Sequence, residues 1–468
     1  MGDTIQIFIS CHKPCERMES ACIRPVMQAD VIRALEAGDE ADRFMAARAN
    51  EFCELLTQYR AWKHCDAGYI GFGHYRRYFA FAEGAKADGD GVVRRLSLNA
   101  DTARELALAD DAAIAAALDG CDVLAPYPVE YPVGSAYSQY KNSDVLNIED
   151  LDIVLDIIEK EFPAYRAAAK KYMRGRRLYY CNMFVMRREL FRAYSEWLFA
   201  VLRRFYERKD MRAAGYTAAL LRTPGHLGER LFGIWLTRLE MERGAEIRYR
   251  RMAVFESAEP VLPLLPEEGA ISLFLPVNAR SAPFAAAALR SAAIAAEQKI
   301  SAVLLENGIS AEDKQKLAAS VADCQNMSVR FFDAALAFSP CAASREEVKP
   351  DPARLPAAFP AFGRMLWADG FSLLQRDIAE FAEGEGVADI SMRGERMPAC
   401  ARSEYYPTKG YSENFWRVFR ETPFYGETDR AKKYGGERNP LWRAAFRLFP
   451  AGGKIGSFLR KARRHLGR

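Results

Sequence analysis

The chain has 468 residues, half of them hydrophobic, with 27% charged residues and a formal net charge of +4. That length holds two ordinary domains, and the composition excludes a disordered polymer. The charge excess is too small to argue for a nucleic-acid partner.

The ten cysteines form no Cys-x-x-Cys pair and none stands at zinc-ligand spacing with histidine. The first residues lack a basic segment followed by an apolar run, so they read as a strand and not as a signal peptide. Nowhere is there the run of about 18 apolar residues that a membrane-spanning helix needs. Free thiols without an export signal point to a reducing cytoplasm.

Ile5 to Ile9 reads as a strand ending in the polar loop Ser10-Cys-His-Lys-Pro14. Ligands of α/β sheets bind beyond the carboxyl ends of such strands. Residues 43–65 carry a helical stripe of Phe44, Phe52, Leu55, Leu56, Tyr59 and Trp62. Gly68 to Gly73 is a strand that runs into His74-Tyr-Arg-Arg-Tyr-Phe79, and Asp122 to Pro126 is a strand cut off by proline. The spacing predicts a helix over 148–169, a strand over 179–186, and helices over 188–207 and 226–240. Alternating strands and helices argue for a mostly parallel α/β sheet. The proline-rich stretch 258–270 reads as a linker. A second βα pattern follows, with strands at 271–277, 301–306 and 327–332 and helices at 283–297 and 310–322. Residues 386–440 look irregular. The tail 441–468 is basic and amphipathic, a composition that suits either a helix on anionic lipid or a solvated tail.

Four clusters carry chemistry. Around residues 69–79, His74, Arg76 and Arg77 follow a strand directly, and guanidinium forks match diphosphate oxygens; the alternative is an arginine pair bridged to surface acids. Asn182, near the start of an apolar strand, offers an amide that reads sugar hydroxyls, or it closes a turn. In Gly228-Glu-Arg230 a carboxylate falls at the mouth of a helix, where anions are favoured; Glu229 is a candidate general base, or a helix-capping acid paired with Arg230. Ser10, His12 and Lys13 form the loop after the first strand.

In this order the clusters resemble a bacterial family of polysaccharide-synthesis glycosyltransferases catalogued as a domain of unknown function. The strings that carry the resemblance are Ile9 to Pro14, Asn50 to Lys63, Tyr69 to Phe79, Tyr180 to Phe191 and Gly228 to Leu231, within residues 5–257. The family's histidine between 139 and 150 is missing here. The resemblance implies an α/β, GT-A-like nucleotide-diphospho-sugar transferase domain over 1–258. It implies a nucleotide-sugar donor, UDP-galactofuranose first, and a glycan or lipid-linked acceptor in capsule or O-antigen synthesis. Glu229 and His74 would then be catalytic, and Ser10, His12, Lys13, Arg76, Arg77, Asn182 and Arg230 would bind substrate. A cytoplasmic protein, peripheral on the membrane through 441–468, is the matching expectation.

The second half resembles a family-eight glycosyltransferase through Ile271 to Asn278, Val303 to Ser310 and Arg364 to Phe371. That family's metal-binding Asp-x-Asp is reduced to Asp369, with Phe371 in the second position, and one carboxylate does not replace a bridging pair. Residues 270–385 therefore read as a second, smaller, degenerate GT-A-like α/β domain. No clear Asp-x-Asp stands in the first domain either, which leaves a divalent metal (manganese or magnesium) open. The rival reading is a non-catalytic glycan- or lipid-binding scaffold.

Overall fold

A computed structural model describes residues 4–87, 91–260, 263–374, 377–390, 395–396 and 413–425. The chain forms two compact units: Met1–Leu262 with Ser339–Glu347, and Pro263–Phe338 with Val348–Arg468.

In the first unit the strands are β1 (Ile5–Cys11), β2 (Ile23–Met27), β3 (Tyr69–His74), β4 (Arg77–Ala80), β5 (Val93–Ser97), β6 (Val123–Pro126), β7 (Val129–Glu130), β8 (Arg177–Leu178), β9 (Phe184–Arg187) and β10 (Ile247–Ser257). The helices are α1 (Gln28–Glu36), α2 (Glu40–Ala46), α3 (Ala49–Phe52), α4 (Leu55–His64), α5 (Ala100–Glu105), α6 (Asp111–Leu118), α7 (Ala136–Lys141), α8 (Ile148–Glu161), α9 (Arg166–Arg174), α10 (Arg188–Arg208) and α11 (Thr223–Glu242). The main sheet runs β2-β1-β3-β4-β10-β6-β9, with β5 on β10 and a further β3–β9 pairing.

This sheet is mixed, not mostly parallel. β1–β2, β1–β3, β5–β10 and β6–β10 are parallel. β3–β4, β4–β10, β3–β9 and β6–β9 are antiparallel. The chain reverses through a tight hairpin at Tyr75-Arg76, where no glycine, proline or asparagine announces a turn. Along β1 the side chains alternate: Ile7, Ile9 and Cys11 enter one core with Tyr69 and Val185, while Phe8 packs on the opposite face against the core of Ile70 and Phe72. In register, Ser10 lies beside His74, so β1 and β3 end together.

Two expected helices are broken. The 43–65 stretch is split into α2, α3 and α4, because Cys53 takes a left-handed φ of 51° between the last two. The 148–169 helix stops at Phe162, in an extended-side conformation (φ −126°) that the following Pro163 favours over the helical one. α9 then packs on α11 at Gly233. A Cβ there would meet Tyr172 Cζ at 2.1 Å, so the close crossing demands glycine.

The second unit contains β11 (Ile271–Asn278), α12 (Ala282–Ala295), β12 (Ile300–Asn307), α13 (Ala311–Ala319), β13 (Met327–Asp333), α14 (Ala334–Phe338), α15 (Leu355–Ala358), β14 (Arg364–Trp367), β15 (Ser372–Leu373), β16 (Gly386–Asp389), β17 (Glu395–Arg396) and α16 (Glu413–Phe419). Its main sheet, β13-β12-β11-β14-β16, is parallel throughout. The alanine-rich α12 is buried along most of its length.

The segment 339–347 belongs to the first unit. Pro340 O accepts from Asn99 Nδ2 (3.0 Å), Ala342 O accepts from Leu96 N (2.9 Å), and Arg345 pairs with Glu256. The basic tail 441–468 lies outside the described residues. Among the described residues no helix is long and apolar enough to cross a membrane.

Candidate active site

The site lies in the first unit, where β1 and β3 end. Ser10 Oγ donates to Thr57 Oγ1 (2.9 Å), which ties the first loop to α4. The His12 ring stands edge-on to Tyr75, with centroids 4.6 Å apart. Lys13 pairs with Glu259 at the surface. Arg76 Nη1 donates to Glu256 O (3.1 Å), its Cζ lies 5.2 Å from the Tyr75 ring, and its buried Nε has no partner among the described residues. Arg77 begins β4 opposite His74 and lies near Cys181.

The centre is a two-residue turn before β9. Cys181 and Asn182 both hold left-handed φ values, 72° and 47°. Such residues are strained and persist only where their surroundings over-determine them. Here they do: Cys181 N–H donates to Glu229 Oε1 (2.6 Å), and Cys181 O accepts from His74 Nε2 (2.8 Å). A carbonyl only accepts, so that contact fixes the proton on Nε2. Asn182 Nδ2 donates to Glu54 Oε1 (2.7 Å) and to Gly225 O (3.0 Å). One turn thus joins β3, the start of α4 and α11.

α11 begins at Thr223, three residues earlier than the sequence spacing indicates. Glu229 is therefore nearly two turns into the helix and not at its mouth, and end-charge stabilisation fades within the first turn. Its carboxylate is held instead by the Cys181 N–H. Glu229 Oε2 is left 4.0 Å from His226 Nδ1 and 3.9 Å from Arg230 Nη1. Arg230 is only 2% exposed. Its Nη2 donates to Gln139 Oε1, and its guanidinium lies 5.7 Å from the rings of both Tyr140 and Tyr180. Arg230 Nε and Nη1 have no partner among the described residues.

Cations dominate the other side. Partial burial pushes the His12 pKa down, and Lys13, Arg76, Arg222 and His74 push the same way. Arg222, just before α11, donates from Nε to Cys53 Sγ (3.2 Å). Burial pushes the Cys181 thiol up to about 12, so it is no nucleophile at neutral pH. Among the described residues no three His, Cys, Asp or Glu side chains come together as metal ligands. Glu54 with His74 (3.9 Å) and Glu229 with His226 (4.0 Å) are pairs only, which do not fit a resident ion.

All nine residues expected from sequence lie in this unit: His74, Asn182 and Glu229 meet at the turn, Arg77 lies near it and Arg230 beside Glu229, whereas Ser10, His12, Lys13 and Arg76 make their contacts elsewhere, with Thr57, Tyr75, Glu259 and Glu256. Glu54, Arg222, Gln139 and the Cys181 backbone were not singled out. Glu54 stands inside the Asn50 to Lys63 string and Arg222 immediately precedes Thr-Pro-Gly, but neither position carries a spacing signal of its own.

In the second unit Asp369 follows β14. Its Oδ1 accepts from Phe371 N (3.2 Å) and Ser372 Oγ (2.5 Å), while the Phe371 ring packs 5.2 Å from Phe284.

A family model described as "Domain of unknown function (DUF4422)" matches residues 6–240. Among solved structures, the apo structure of WbbM, described as a bifunctional glycosyltransferase, is similar at 26% identity and a TM-score of 0.51. The match covers 81% of this chain and 68% of that one. An active-site mutant of LgtC matches 25% of this chain and 42% of its own at 17% identity, but its TM-score of 0.19 carries no argument. No curated protein matches.

Proposed function

The chain belongs to the DUF4422 family, and we propose that it is a glycosyltransferase, moving a sugar from a nucleotide-diphosphate donor to a hydroxyl of a glycan or lipid-linked acceptor. The observation that carries this reading is the pairing of a held carboxylate, Glu229, with a crescent of cations at the carboxyl ends of β1 and β3. The likeness to WbbM over most of the chain supports it.

The roles follow from position. Glu229 Oε2 takes the acceptor proton. The acceptor oxygen then bonds the anomeric carbon as the bond to the diphosphate oxygen breaks, and the nucleoside diphosphate leaves with that electron pair. Lys13, Arg76, Arg77 and Arg222 supply positive charge to the leaving group, and the His12 ring joins them once the diphosphate beside it raises its pKa, in place of a metal for which the donor set is poor. His74 holds the Cys181 carbonyl and so positions the turn. Ser10 anchors the donor loop, and Asn182 orients Glu54 beside it. UDP-galactofuranose is the first donor to test, in cell-surface polysaccharide synthesis on the inner face of the membrane, with residues 441–468 as the lipid contact. In the second unit the turn hydrogen bonds on Asp369 favour a non-catalytic role.

Thermal unfolding with UDP, GDP, CMP and dTDP, each with and without manganese, tests this. A nucleotide at a hundred times its Kd adds about 2.7 kcal/mol. Stabilisation by one nucleotide without manganese is expected. No stabilisation by any would overturn the reading in favour of a scaffold.

A further inference from the structure

Asp150, in the first turn of α8, is a wholly buried carboxylate that the proposed chemistry does not use. Burial pushes its pKa up. A charge leaves water at a heavy cost unless its oxygens are filled, and an apolar side chain in that place would pack without that cost. The side chains that fill them come from one stretch of chain. The Tyr216 hydroxyl donates to Oδ1 (2.9 Å) and Oδ2 (3.1 Å), and Lys209 Nζ stands 3.7 Å from Oδ1. Thr223 Oγ1 shares its proton between Oδ2 (3.3 Å) and Leu220 O (2.8 Å). Asn147 Nδ2 donates in turn to the Tyr216 oxygen (2.8 Å).

That stretch, 209–222, joins α10 to α11, and most of it is exposed. A connection of this kind moves unless it is tied down. A second buried acid ties its start: Glu51, 2% exposed, accepts at Oε1 from Arg212 Nε (2.8 Å). The stretch ends in Arg222, whose side chain lies at the surface and donates from Nε to Cys53 Sγ (3.2 Å). Arg222 therefore stands beside Glu54, the partner of Asn182. Burial is the largest cause of the lowered His12 pKa, and Arg222 is one of the cations that add to it. Thr223, which faces Asp150, directly follows Arg222 in the chain. A displaced clasp carries the guanidinium with it.

We infer that the buried cluster of Asp150, Tyr216 and Thr223 is a clasp that sets where Arg222 stands. Asp150 is then a positioning residue, which acts in the transfer by holding that guanidinium ready for the nucleoside diphosphate. This role rests on the function proposed above.

NMR titration of the His12 ring, without nucleotide, reads where Arg222 stands. Arg222→Gln removes a cation and should raise the His12 pKa towards its usual 6.5. Asp150→Asn turns an amide N–H₂ against groups that donate to the carboxylate, and Tyr216→Phe deletes the main donor. Both should raise the His12 pKa in the same direction, and neither should raise it further once Arg222→Gln is present. UDP titration supplies the second readout. Arg222→Gln should weaken UDP about tenfold, as loss of a hydrogen bond to a charged group does. Either clasp variant should show part of that loss, and none beyond it in the Arg222→Gln background. A clasp that served stability alone would lower Tm and leave the His12 pKa and UDP affinity at parent values. That result in the folded variants, or additive effects in the double variants, would overturn the inference. Tyr216→Phe keeps the test decisive if Asp150→Asn fails to fold. A parent protein that binds no nucleotide defeats the proposed function, whereas the His12 titration still decides the clasp.

Discussion

Asn182 is where the fold and the site depend on the same atoms, and two substitutions separate its contributions. Asn182→Gly keeps the left-handed backbone but removes both side-chain hydrogen bonds. The one to Glu54 (2.7 Å) is charge-assisted, and the one to Gly225 O (3.0 Å) is neutral. Their loss costs about 2–4 kcal/mol, towards the lower end because the Glu54 side chain retains 16% exposure and water can reach it. Asn182→Ala loses the same bonds and must also hold a φ of 47°, which costs a Cβ-bearing residue about 1–2 kcal/mol. Part of that difference is offset because glycine gives up about 0.5–1 kcal/mol more chain entropy on folding. The alanine variant is therefore expected to be the less stable, by about 1 kcal/mol. For a unit of this size the two variants should lower Tm by roughly 4–20 °C, at about 2–4 °C per kcal/mol. Urea and thermal unfolding of the full chain measure both. An alanine variant as stable as the glycine one, or either within about 0.5 kcal/mol of the parent, would refute the strained, hydrogen-bonded turn.

Other outcomes follow from the same contacts. Gly233→Ala should cost about 2–3 kcal/mol, because its Cβ at 2.1 Å from Tyr172 Cζ forces α9 away from α11; Tyr172→Leu in the same chain should recover part of the loss in a denaturation experiment. Glu229→Gln should reduce kcat by about 10²–10⁴ with little change in Tm, since the amide oxygen still accepts from Cys181 N–H. Full activity in that variant would remove Glu229 as the base. His12 should titrate below its usual 6.5 in the free protein. Because its folded pKa is the lower one, its contribution to stability is complete above about pH 6.5 and is lost as pH falls through the folded value. A nucleotide diphosphate beside it should raise that pKa, which NMR of the His12 ring reads directly; a value at or above 6.5 before ligand is added would contradict the cationic crescent.

Much of this was legible because long, strongly periodic segments declare themselves. β1, β3, α10 and the alternation from β11 to β13 emerge from apolar runs and stripes whose period the fold keeps. The misses share one cause: they are set by backbone conformations that the residue types do not announce. Cys53 and Cys181 are left-handed without being glycine, and Tyr75-Arg76 turns the chain with none of the usual turn residues. The parallel sheet expected for the first unit becomes mixed through that hairpin and the antiparallel β9. At the site, His74, Arg76, Asn182 and Glu229 stood out by residue type and motif order. Glu54 and Arg222 did not, since an isolated acid or base in a helical stripe looks like any solvated charge until tertiary structure supplies its partner.

The turn explains why these residues meet at all. Two consecutive left-handed residues cost about 1–3 kcal/mol each and would relax if only one contact opposed them. Cys181 presents its N–H to Glu229 and its carbonyl to His74, and Asn182 reaches Glu54 and the first turn of α11, so four contacts from three elements hold the strain in place. In exchange the backbone aims a donor at one oxygen of Glu229 and leaves the other oxygen turned towards Arg230. A relaxed turn would redirect that N–H, and the freed carboxylate oxygen would compete for the Arg230 fork. The unfilled hydrogen-bonding capacity of Arg230 is thus a consequence of the turn. If the Asn182 variants loosen it, transfer activity should fall in step with the loss of stability, while nucleotide affinity, set by the cations around His12, should hold.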